Sequence, residues 1–227
     1  MITFLQYLCE NVQISDQQIL EIANFVTSKV KYILSQNVAS DNFVAELQKV
    51  WNGYYPSNDI KVRFEFVLND KNAGSYRFEN NEHVISISLD SLYGNGSLET
   101  FTQALVHELQ HINSPGANGD SLDTIEDKLK FYTNYGEVES HAKQFGWLFK
   151  KHYPGNAFNV SLLLQLYTKL KNDPNYGEKE GLYKILLYCF PTKTKEYQES
   201  TPAQKQRWLK LQKTFTQKIA DFVGGQK

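Results

Sequence analysis

Apolar positions in the first quarter of the chain follow a helical period. Ile19, Ile22, Ala23, Val26, Val30, Ile33 and Leu34 share one side of residues 15 to 36, and Ser15-Asp16 supplies an N-cap. A second helix is predicted over residues 40 to 51, and Tyr54-Tyr55-Pro56-Ser57-Asn58 breaks it. The pattern then changes from a period near 3.6 to a period of 2. Lys61 to Val67 alternates as a half-buried strand does, and Ser75 to Phe78 and His83 to Leu89 read as two more strands joined by Glu79-Asn80-Asn81-Glu82. These three predict a small antiparallel sheet. Ser97 is a good N-cap for the next helix, which Asn113 to Gly119 terminates in a loop. Beyond Asp123 the pattern is helical throughout: 123 to 132, 136 to 152, 158 to 171, 179 to 190 and 201 to 223. The expected class is α+β, a small sheet packed on one helix between mostly helical N- and C-terminal parts. The 227 residues are read as a single domain with parts 1–56, 57–155 and 156–227.

Composition narrows the function classes. A hydrophobic share of 41% with 14% aromatics supports a substantial core, and a net charge of -1 gives no electrostatic case for nucleic acid or an anionic membrane. The one basic run, Lys205, Arg207, Lys210, Lys213 and Lys218, alternates with Trp208, Leu209, Leu211 and Phe215 and reads as the solvated face of an amphipathic helix. Cys9 and Cys189 are distant and apolar in context, which is no disulfide framework. The first residues make a poor signal peptide, and no apolar run approaches the ~18 residues of a membrane span. A soluble cytoplasmic protein is expected. Abundant Asn, Lys and Tyr with a single Met fit an AT-rich genome, such as a viral one.

The chemistry concentrates in His107-Glu108-Leu109-Gln110-His111. In an H-E-x-x-H segment on a helix, the histidines at i and i+4 share a face and can reach one metal ion, while the Glu beside them can take a proton from a water. A helical projection separates His107 and His111, flanked by Thr100 and Ala104, from the core residues Leu98, Phe101, Leu105, Leu109 and Ile112. Glu108 falls between that stripe and the core, and Gln103 and Gln110 fall on a solvent-like sector.

A catalytic zinc takes three protein ligands and keeps one position open. Candidates for the third are Asp120, Asp123, Glu126, Asp127, Glu137, Glu139, His141 and Glu178. On the helix from Gly136, an inward arc holds Val138, His141, Ala142, Phe145, Leu148 and Phe149. Glu137 sits at its edge, and Glu139 lies on the far side with Lys143 and Lys150. His141 could be a fourth ligand, a replacement third ligand or, the preferred role, a partner orienting a ligand from behind.

These residues resemble the zincin metallopeptidases, and among them the gluzincins, which pair H-E-x-x-H with a Glu on a following helix. Glu137-Val138-Glu139-Ser140-His141-Ala142 is similar to the run that small phage-encoded zincin-like proteins carry. The resemblance spans about residues 83 to 149. It implies His107, His111 and Glu137 as zinc ligands and Glu108 as general base. His141 stands where the family often has an Asp, and Gln110 where it often has Gly or an aliphatic residue. It also implies a sheet edge that pairs with an extended peptide or protein substrate, with His83 to Leu89 as the candidate edge. His83 itself reads as a strand residue. Tyr132, Tyr135 and His141 are candidate donors to an oxyanion, and the loop Ser114 to Gly119 is a candidate gate. The expected activity is zinc-dependent peptide-bond hydrolysis. The competing readings are an inactive zincin-like binding or assembly module and an interaction domain with an accidental motif.

Overall fold

The computed structural model describes residues 13–36, 42–56, 60–67, 74–92, 97–114, 122–173 and 179–224. It is α+β and mostly helical, and the chain divides into two compact units, Met1–Asn113 and Ser114–Lys227.

The first unit opens with α1 (Asp16–Ser35). Ser15 Oγ accepts from Gln18 N at 3.2 Å, and the Gln18 side chain accepts from Ser15 N at 2.8 Å, closing a reciprocal cap. The predicted stripe from Ile19 to Ile33 is buried. After α2 (Phe43–Val50) come β1 (Val62–Val67), β2 (Gly74–Glu79) and β3 (Glu82–Ser88). Asn80 and Asn81 close the β2–β3 hairpin with φ of 50° and 61°, left-handed conformations that Asn tolerates and a two-residue hairpin turn requires.

The sheet corrects the expected antiparallel one. Its order is β1-β3-β2, with β1 parallel and β2 antiparallel to β3. His83 to Leu89 is therefore no edge. The physical reason is burial, since β3 is buried at every residue from His83 to Ser88 and belongs in the centre. The less buried β1 and β2 sit at the sides. One sheet face carries an ionic lattice across the strands. Arg63 meets Glu65, Glu79 at 2.8 Å and Glu82 at 3.3 Å. Arg77 meets Glu65 at 2.6 Å, and its Nη1 donates to Ser86 Oγ at 2.9 Å. Burial of Glu65 pushes its carboxyl up, and the bonds from Arg77 and Arg63 outweigh that and hold it below the usual range.

Next comes α3 (Leu98–Gln110), which packs against α1, β2 and β3. This placement overturns the solvent sector expected for Gln103 and Gln110, which are each 2% exposed. A helix packed on several neighbours has no broad wet face, whatever its polar residues.

The second unit contains α4 (Ile125–Tyr132), α5 (Tyr135–His152), α6 (Val160–Asn172), α7 (Lys179–Cys189), the short α8 (Lys195–Glu199) and α9 (Pro202–Gly224). Its core is aromatic, built on the fully buried Phe145, Phe149, Tyr188, Trp208 and Phe215. Helices α5 and α9 approach closely at Gly146, where a Cβ would lie 2.5 Å from a Phe222 ring carbon. Two members of the basic run on α9 are paired, Arg207 with Glu126 and Lys218 with Glu139. Cys189 is buried, and burial pushes its thiol up, so it behaves as an inert core residue. Cys9 lies outside the described residues. Among those described, no helix is long and apolar enough to cross a membrane.

Candidate metal site

In the first unit the H-E-x-x-H segment lies at the end of α3. Ser97 caps the helix start, with Oγ accepting from Thr100 N at 3.2 Å. Regular helix ends at Gln110, yet His111 keeps φ -65° and ψ -13°, so the i, i+4 relation survives into the cap. The turn beyond is anchored by Asn113. Its Oδ1 accepts from Ile14 N and its Nδ2 donates to Ile14 O, both at 2.7 Å.

His107 is half-buried and His111 is 5% exposed. Their Nε2 atoms are 3.3 Å apart, and their rings meet edge to face at 4.9 Å. Two nitrogens bound at about 2.0–2.1 Å to a tetrahedral ion stand about 3.3–3.4 Å apart. The imidazoles therefore hold the spacing of two ligands of one ion.

Glu108 is buried against the start of β2. A Cβ built on Gly74 would come within 2.8 Å of Glu108 Cγ and 3.1 Å of its Oε1. The carboxylate thus occupies space that any larger residue at position 74 would claim. Tyr76, two residues along β2, tilts its ring toward His111 at 6.3 Å, and its hydroxyl is 3.1 Å from His83 Nδ1. His83 is 4% exposed, and burial lowers its pKa from the ordinary value, which favours the neutral ring.

In the second unit, Asn134 caps α5, with Oδ1 accepting from Gly136 N at 2.9 Å and Glu137 N at 3.4 Å. Glu137 is 5% exposed in the first turn, where the helix dipole favours its charge. The predicted inward arc, Val138 through Phe149, is buried as a set. His141 Nε2 lies 3.8 Å from Glu137 Oε2, and His141 Nδ1 is bonded to Gln144 Oε1 at 3.0 Å. An amide oxygen only accepts, so His141 donates from Nδ1 and turns Nε2 toward Glu137. Glu139 pairs with Lys218 instead of pointing into solvent, and it leaves Glu137's side of the helix.

The remaining candidates disperse. Asp123 and Glu126 are exposed, Glu126 holds Arg207, and Asp127 closes the cap of α4 with Thr124. Asp120, Glu178 and the loop from Pro115 to Gly119 lie outside the described residues. Tyr132 is buried beside Tyr188 and Trp208, and Tyr135 is 64% exposed with Lys218 over its ring. Gly74, Tyr76, Gln144 and Tyr188 had no periodic or motif signal to mark them. Each comes beside a candidate residue only through a neighbour distant in sequence or one turn away.

In comparisons with known proteins, no protein-family model matches this chain, and no curated protein or solved structure shows significant similarity to it.

Proposed function

We propose that this protein is a zinc-dependent peptide-bond hydrolase in which His107, His111 and Glu137 hold the ion and Glu108 is the general base. The observation that carries the reading is the 3.3 Å spacing of the two Nε2 atoms. Glu137 is favoured as the third ligand because the resemblance to the gluzincins implies it there, and it is a buried carboxylate in the first turn of α5. Two imidazoles and a carboxylate are a ligand set of catalytic zinc, with one position left for water or substrate. A zinc ion there would acidify a water and polarise the scissile carbonyl.

The chain's own residues supply the rest. Glu108 takes the proton of the attacking water at a carboxylate oxygen and passes it to the leaving amine. Its burial keeps that proton from bulk solvent. His141, held through Nδ1 by Gln144, packs behind Glu137 with its Nε2 3.8 Å from the carboxylate. A peptide is the favoured substrate because β2 is a side strand of the sheet and begins at Gly74, against Glu108. An extended chain pairing with that edge would pass close to the base.

Metal analysis of the purified protein should find close to one zinc per chain, and His107→Ala should lose it. Glu108→Gln should keep the metal and abolish cleavage of an unstructured protein substrate. Full cleavage by Glu108→Gln, or wild-type protein that takes up no zinc, would sink the reading.

A further inference from the structure

The second unit contains a buried polar atom that nothing in its core explains. Tyr188, near the end of α7, is 0% exposed, and its hydroxyl has no hydrogen-bond partner. Its ring is stacked on Phe215 at 4.0 Å and 11°, and meets Tyr132 edge-on at 5.5 Å. Phenylalanine would fill the same space. A buried hydroxyl without a partner costs about 1–3 kcal/mol, a cost that an acceptor in another state of the protein would remove.

The surroundings name that acceptor. The His141 ring lies 5.3 Å from the Tyr188 ring, and the same histidine turns Nε2 to within 3.8 Å of Glu137 Oε2. Tyr188, His141 and Glu137 thus form one buried cluster containing a carboxylate. We propose that Tyr188 is a positioning residue for Glu137, its hydroxyl donating to the Glu137 carboxylate and holding it in place to bind the ion. The proposal rests on the metal-site reading above.

The hydroxyl is suited to the task. Burial, with the Glu137 charge adding to it, pushes its pKa well above the ordinary tyrosine range. A carboxylate that receives a hydrogen bond on one oxygen is restrained for ligation through the other. Tyr183, on the same helix, provides the contrast. Its hydroxyl is already committed to Glu196 at 2.7 Å, so its role is structural.

The test compares wild type, Tyr188→Phe and Tyr183→Phe, each stripped of metal. Zinc affinity is measured by competition with a chromogenic chelator, and melting temperature without zinc is measured in parallel. Tyr188→Phe should raise the zinc Kd about 10–100-fold while melting at or above the wild-type temperature. Tyr183→Phe should melt lower and leave the zinc Kd unchanged. The proposal is overturned if Tyr188→Phe binds zinc as wild type does. It is equally overturned if metal-free Tyr188→Phe melts well below wild type, since the hydroxyl would then be structural. Wild type that binds no zinc overturns the metal-site reading along with it, whereas wild type that binds with Tyr188→Phe unaffected overturns this inference alone.

Discussion

Replacing Gly74 by alanine tests the placement of Glu108 without reference to any activity. The added Cβ would lie 2.8 Å from Glu108 Cγ, 3.0 Å from Ile87 Cδ1 and 3.1 Å from Glu108 Oε1. Carbon pairs attract at roughly 3.5–4.0 Å, so the first two contacts are overlaps. Ile87 Cδ1 ends a flexible side chain and can swing away. Glu108 Cγ is next to the helix backbone, and Gly74 is tied to Ile87 across the β2–β3 ladder. Overpacking of this kind costs about 1–3 kcal/mol. Loss of glycine's freedom in the unfolded chain returns about 0.4–1 kcal/mol. At the middle of these ranges the net destabilisation is about 1.3 kcal/mol, which at about 2–4 °C per kcal/mol for a chain of this length lowers Tm by about 3–5 °C. The assay is a double-mutant cycle by thermal and urea denaturation. In Glu108→Ala the two Glu108 contacts vanish, and Gly74→Ala should then cost less than about 0.5 kcal/mol or stabilise. An equal cost of Gly74→Ala in both backgrounds, or none in wild type, would refute the placement of Glu108 against β2.

Two further outcomes follow from contacts within each unit. Asn113→Ala removes both bonds to Ile14, and at about 0.5–1.5 kcal/mol per neutral bond it should lower stability by about 1–3 kcal/mol in urea denaturation. Glu196 contributes to acid stability in the second unit. Burial raises its pKa, and the bonds from Tyr183 and Lys128 outweigh that and hold the carboxyl below the usual range. A depressed folded-state pKa means the unfolded chain takes the proton first. The stabilisation is therefore complete above the ordinary Glu pKa of about 4.3 and is lost as pH falls through the folded value. Glu196→Gln should flatten the fall in urea midpoint between neutral pH and about pH 3; an unchanged acid limb would refute the assignment.

Local features were legible in the chain because their causes are local. The stripe of α1, the Ser15 and Ser97 caps and the inward arc of α5 follow from a 3.6-residue period and nearby hydrogen bonds. The His107–His111 pair belongs to the same kind, since i, i+4 spacing brings two imidazoles together on any helix. The projection likewise separated Glu137 from Glu139, although it could not foresee Lys218 as the partner of Glu139.

The strand order was not legible. Three short strands can pair in more than one order, and only the burial of β3 in the folded unit puts it in the centre. Gln103 and Gln110 failed for a related reason, because residue polarity predicts exposure only where a helix keeps a free face. The sequence by itself determined the helices, their caps and the donor types of H-E-x-x-H. Tertiary structure alone decided that Glu108 fills the space over Gly74 and that the Tyr188 ring is buried against His141. Both depend on contacts between residues more than 30 positions apart, which neither periodicity nor a short motif encodes.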